Sequence, residues 1–169
     1  AAAVPAGGRA RRRASALRAS RRAELLAGLP LAAPGADGSL HVAAHGGSLG
    51  FVRLLLGVGV DVDAVDGARA SALHYAAAAG HVHIVDELLD ARADHEARDC
   101  HAQTPLHYAA SAASPAVVRA LMECGANPRA VDDSGDTPLS LALQARNHRA
   151  ALAMVDSAYE QGPAGDREA

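Results

Sequence analysis

The stretch His45-Gly46-Gly47-Ser48-Leu49-Gly50 places a serine in the G-x-S-x-G spacing of a hydrolase nucleophile, with an imidazole beside it. In that chemistry the serine stands on a strained turn between a buried strand and a helix. Its hydroxyl attacks an acyl carbon while a histidine takes the proton. The residues ahead of Gly46 carry no buried-strand pattern, and Gly47-Ser48 falls in register with Gly80-His81. This predicts a turn between two helices and no acyl transfer.

Nine histidines raise a second possibility, zinc. A zinc ion needs its donors about 2 Å away, all converging on one point. His41, His74 and His107 recur at a fixed interval, and packed helices set equivalent side chains about 10 Å apart. They cannot share an ion. His81 and His83 lie two apart and diverge on a helix, and His101 reads as a surface contact. Cys100 and Cys124 form no C-x-x-C motif, so a surface thiol and a small core filler are expected. Asp132, Asp133 and Asp136 do not keep the spacing of a calcium loop; they read as solvated charge or a contact for a basic partner. No metal and no cofactor is expected.

All 16 basic residues are arginine. Without a lysine amine there is no phosphate-loop lysine, no Ser-x-x-Lys hydrolase and no Schiff base. Nothing in the chain therefore assembles a catalytic constellation, and an enzyme is not expected.

The elements that position these residues follow from the repeat. Leu40, Leu73, Leu106 and Leu139 stand at equal intervals, without insertion or deletion between them. They open closely similar segments, such as Leu73-His74-Tyr75-Ala76-Ala77 and Leu106-His107-Tyr108-Ala109-Ala110. Phe51-Val52, Ile84-Val85 and Val117-Val118 keep the same register, as do Leu55, Leu88 and Leu121. So do Gly59-Val60-Asp61, Arg92-Ala93-Asp94 and Gly125-Ala126-Asn127. Each unit holds two short stretches of helical apolar spacing, separated by a turn and followed by a polar segment.

In the third unit Thr104 is placed to cap the first helix and Pro105 to occupy its first position. Ser114-Pro115 repeats that order for the second helix. Gly125 supplies a left-handed stop; Arg92 stands in the same register, at a cost near ~1 kcal/mol if its backbone turns left-handed. Asn127 to Asp132 is expected to form an extended finger.

Thr104-Pro105-Leu106-His107-Tyr108-Ala109-Ala110, Thr137-Pro138-Leu139 and Gly80-His81-Val82-His83-Ile84-Val85-Asp86-Glu87-Leu88-Leu89 resemble the ankyrin-repeat family over roughly Asp37 to Tyr159. The resemblance implies an all-α solenoid of helix-turn-helix units with short hairpin-like finger loops. It divides the chain into an extension over 1–36, repeats over 37–65, 66–98, 99–131 and 132–159, and a tail over 160–169. The last repeat reads as a terminal cap. The family's histidine, here His41, His74 and His107, is implied to hydrogen-bond near the start of each first helix.

The resemblance also implies a concave binding face built from finger tips and first helices. In this register its exposed positions are Asp37 and His45; Gly67, Ala68 and Ala70; Cys100, His101, Gln103 and Ser111; and Asp133, Ser134, Asp136 and Gln144. These are small or polar, without the aromatic anchors that dominate many interfaces.

Net charge sharpens the expectation. Residues 1–24 carry seven arginines against one glutamate, whereas residues 25–169 carry nine against 18 acids, within a 169-residue chain of net charge −3. An acidic repeat body repels phosphate, so it is not expected to bind nucleic acid and suits a protein with a basic or mixed polar surface. No apolar run reaches the ~18 residues of a membrane span. The leading expectation is a reversible protein-binding module. The alternative is a fixed assembly subunit of a larger complex, docked by Arg11, Arg12, Arg13, Arg21 and Arg22. Three readings of the extension stay open: a targeting peptide, a docking arm and a solvated arm. The compartment is cytoplasmic or nuclear by default, and a plastid or mitochondrion if the extension is a transit peptide.

Overall fold

Each apolar stretch of the repeat becomes a short helix, and each repeat supplies two. The computed structural model describes residues 36–160, residue 113 excepted. Among the described residues these are α1 (Ala36–His45), α2 (Leu49–Gly57), α3 (Ala72–Ala79), α4 (Val82–Asp90), α5 (Pro105–Ser111), α6 (Pro115–Glu123), α7 (Pro138–Gln144) and α8 (His148–Glu160). The odd-numbered helices pack in one row, α1 on α3, α3 on α5 and α5 on α7. The even-numbered helices form a second row in the same order. The result is an all-α solenoid of four helix pairs.

The starts of the helices follow their sequence. Pro105 and Pro138 sit in the first turn, where a missing N–H is no loss. Thr137 and Ser140 close a reciprocal box: the Ser140 N–H donates to Thr137 Oγ1, and the Thr137 N–H donates to Ser140 Oγ. Ser114 departs from expectation. It precedes Pro115 at the cap position, yet its hydroxyl makes no cap bond, with its backbone at φ −122°, ψ 87°.

A left-handed residue stops most helices. After α6, Gly125 has φ 93°; its N–H reaches the Met122 carbonyl while that of Ala126 reaches Leu121. This double bond satisfies carbonyls that the helix leaves orphaned. Arg92 carries the same geometry at φ 69°, as its register predicts. Arg69, Ala102 and Arg146 share the left-handed region at φ 59°, 58° and 55°, although none is a turn residue by type. A side chain there costs roughly 1–2 kcal/mol.

The core runs the length of the stack with almost no aromatic ring. Leu40, Leu73, Leu106, Leu55, Leu88 and Leu121 are buried, and Ala43, Ala44, Ala76, Ala77, Ala109 and Ala110 let the odd row close tightly between them. Each fully buried leucine contributes about 1.5–3 kcal/mol.

Between units the chain turns back on itself in a finger. Val65 bridges Ser71 in antiparallel fashion, and the Asp66 N–H donates to the Ala70 carbonyl. Asp99 pairs likewise with Gln103, and Asp132 with Asp136. The third finger is therefore Asp132–Asp136. The segment Asn127–Ala130 ahead of it is a closed turn, a correction to the extended Asn127–Asp132 finger.

Candidate binding surface

Three carboxylates in one repeat register build the fingers. Asp66 Oδ1 accepts the N–H groups of Ala68 and Ala70, Asp99 Oδ1 those of His101 and Gln103, and Asp132 Oδ1 those of Ser134 and Asp136. The second oxygen takes a side-chain donor. Tyr75 donates to Asp66 and Tyr108 to Asp99, each hydroxyl coming from the helix that follows the finger. In the third finger the corresponding residue is Leu141, and the amide of Gln103 donates to Asp132 instead, at 2.9 Å.

These bonds hold the carboxyls below their usual range. For Asp66 the Tyr75 hydroxyl contributes most and for Asp132 the Gln103 amide, each over the opposing effect of burial. At Asp99 burial pushes upward most strongly, and the Tyr108 hydroxyl with two N–H groups outweighs it. The Asp66 contact does most to push the Tyr75 hydroxyl up, whereas for Tyr108 burial does most and the Asp99 carboxylate adds to it. Asp132 is thus a buried organiser of the backbone, which corrects its reading as solvated charge.

Histidines tie each finger to the helix behind it. His107 Nδ1 accepts the Thr104 N–H at 3.0 Å, which leaves the proton on Nε2; that group donates to the Asp136 carbonyl at 3.3 Å. His74 does the same between Ser71 and the Gln103 carbonyl, and His41 Nε2 donates to the Ala70 carbonyl. Both nitrogens of His74 and His107 are committed, and burial pushes these two imidazoles down from their usual value. They are neutral structural linkers. Among the described residues no group of three or more histidine, cysteine or acidic side chains is placed to hold a metal ion.

The fingers also join one another. The Cys100 N–H donates to the Ala68 carbonyl and the Asp133 N–H to the His101 carbonyl. Their tips form one ledge, with Gly67, Ala68, His101, Asp133 and Ser134 exposed along it. His45 and Ser111 are exposed on α1 and α5, and Gln144 on α7. His45 sets its ring 6.1 Å from that of Tyr75 and its carbonyl accepts from His81 Nε2. The Ser111 hydroxyl turns back to the His107 carbonyl.

Four expected contact or core assignments are corrected. Ala70 is buried: its N–H and carbonyl hold the finger, and the exposed residue there is its neighbour Arg69. Gln103 is half-buried and points its amide inward to Asp132. Asp136 is half-buried, its Oδ1 accepting from the Ser140 hydroxyl and the Gln144 amide. Cys124 is exposed rather than a core filler. Arg11, Arg12, Arg13, Arg21 and Arg22 lie outside the described residues, as does the side chain of Asp37.

Ser48 lies in the turn between α1 and α2, so the hydrolase motif has no strand behind it. A repetitive helical scaffold with an exposed ledge and internally satisfied polar groups defines an all-α repeat solenoid. The family model described as ankyrin repeats, in three copies, matches residues 40–132 and 95–163. The chain belongs to the ankyrin-repeat family. No curated protein matches it. Ankyrin repeats are generally protein–protein interaction modules and typically non-enzymatic. No helix among the described residues is long and apolar enough to cross a membrane.

Proposed function

We propose that residues 37–159, in four units bounded at 37–65, 66–98, 99–131 and 132–159, bind a partner protein reversibly and without catalysis. The contact surface is the finger ledge with the exposed positions of the odd-row helices: Gly67, Ala68, His101, Asp133 and Ser134, flanked by His45, Ser111 and Gln144. Gln103 and Asp136 support it from behind. The observation that carries this reading is the pair of backbone bonds joining the finger tips. They present the tips as one pre-ordered surface and lower the entropy lost on binding. The acidic balance of residues 25–169 suits a basic or mixed polar partner.

A second reading rests on the seven arginines of residues 1–24. It makes the protein a fixed subunit clamped to a complex by Arg11, Arg12, Arg13, Arg21 and Arg22.

Co-purification with three full-length baits separates them: the native chain, a His101→Glu/Asp133→Lys ledge variant, and a variant with those five arginines changed to alanine. The first reading expects the ledge variant to lose partners that the arm variant keeps. The reverse pattern establishes the clamp.

A further inference from the structure

Residues that share a repeat position are equally buried when they are equally covered. Phe51 on α2 is 41% exposed, whereas its counterparts Ile84, Val117 and Ala150 are 2%, 0% and 0% exposed. Val42 on α1 is 73% exposed, yet its counterparts Tyr75, Tyr108 and Leu141 pack against the core. Tyr75 shows which way this position faces: its ring lies 5.7 Å from that of His41, in the preceding unit. Phe51 and Val42 therefore face backward, toward the place a preceding unit would occupy. Phe51 is the chain's single phenylalanine.

Ahead of α1 the chain carries Ala23-Glu24-Leu25-Leu26-Ala27-Gly28-Leu29-Pro30. Its leucine pair is like in type to the pairs that close the even-row helices, Leu55-Leu56, Leu88-Leu89 and Leu121-Met122, although it stands three residues later than the repeat register. The second members Leu56 and Leu89 are half-buried against the core, each with a unit ahead of it. Met122 is fully buried, while Val155, its counterpart in the last unit, is 52% exposed with no described unit beyond it.

We propose that residues 23–29 dock across the N-terminal end of the stack as the close of a lone even-row helix, Leu26 against Phe51 and Leu29 toward Val42. The tether fits. The link from Leu26 to Leu40 is only slightly shorter than the link from Leu56 to Leu73, which makes the same crossing between described units. Residues 30–35 alone reach ~20 Å when extended, twice the ~10 Å between packed helices. A tethered segment acts at an effective concentration near ~1 mM, which favours it over a second copy of the chain on the same face.

The test is a double-mutant cycle in the full-length protein, with Leu26→Ala, Phe51→Ala and both together, read by urea unfolding at several protein concentrations. Each single change is expected to lower the folding equilibrium constant about tenfold, and the pair little more than either alone. Amides of residues 24–29 are expected to exchange at least ~10-fold more slowly than open chain. An unchanged midpoint for Leu26→Ala, or open-chain exchange at 24–29, overturns the proposal. So does a midpoint that rises with protein concentration, which assigns the face to a second copy.

Discussion

The third and fourth units share one register and finish differently. In the third, His107 takes the cap N–H with one nitrogen and reaches forward to the Asp136 carbonyl with the other. In the fourth, Ser140 holds the equivalent position, and its hydroxyl serves Thr137 and Asp136 of its own unit. The apolar faces differ in parallel. Ala110 is fully buried, while Leu143, its counterpart in the fourth unit, is 55% exposed. A ring at the linker position spans the gap to a following finger, whereas a short hydroxyl closes the cap locally. The residue type thus tracks whether a described unit lies ahead.

The sharpest way to break this distinction is to truncate the two leucines. Leu106→Ala should cost about 3–4 kcal/mol, and Leu139→Ala about half that, because Leu139 is only partly buried. Equal losses in urea denaturation would erase the difference between the units. Exchanging the linkers is the next test. His107→Ser should cost about 2 kcal/mol by orphaning a part-buried carbonyl, while Ser140→His should change the thermal midpoint by no more than about a degree or two, because no forward acceptor lies among the described residues.

Acid tests the same linkers with a smaller effect. The folded-state values of His74 and His107 lie below the unfolded one of about 6.5. Below that pH the unfolded chain binds protons that the folded chain refuses, so stability present above pH ~6.5 falls as pH drops through this window. A second loss follows below about pH 4, where Asp66, Asp99 and Asp132 must take up protons against their hydrogen bonds. Unfolding midpoints measured against pH should show both limbs. A His74→Gln/His107→Gln variant should flatten only the upper one.

The smallest effect compares helix ends in the second and third units. Arg92→Gly should stabilise by about 1 kcal/mol and Gly125→Ala should destabilise by a similar amount, read from chemical denaturation. If Arg92→Gly gains nothing, the arginine side chain makes compensating contacts.

The period, the proline starts and the left-handed stop at Gly125 were legible because each is a local rule written into residue type. The exposed tips His101, Asp133 and Ser134 were legible from register alone. Ala70 was misread because the finger is a hairpin, in which successive side chains face opposite ways. The carboxylate organisers escaped for a different reason. Asp66, Asp99 and Asp132 stand in perfect register, but Asp132 sits beside Asp133 and Asp136 and looks like one more surface charge. Its acceptor role depends on N–H groups that converge only once the hairpin forms. The left-handed Arg69 and Arg146 had a signal too, since they align with Ala102 and Gly135 and with Gly47 and Gly80. Neither looks like a turn residue by type.

The clasp that joins each unit to the next, a ring bonded to a carbonyl of the following finger, has a mechanical meaning. Pulled from its two ends, the molecule acts as a row of like latches in series. The middle clasp has a clasp on either side and the outer two have one on a single side, so the row is expected to open inward from its ends. Every latch that yields releases one repeat length of chain, roughly 110 Å of contour. The force trace is expected to be a sawtooth whose teeth are evenly spaced, a ruler set by the repeat itself.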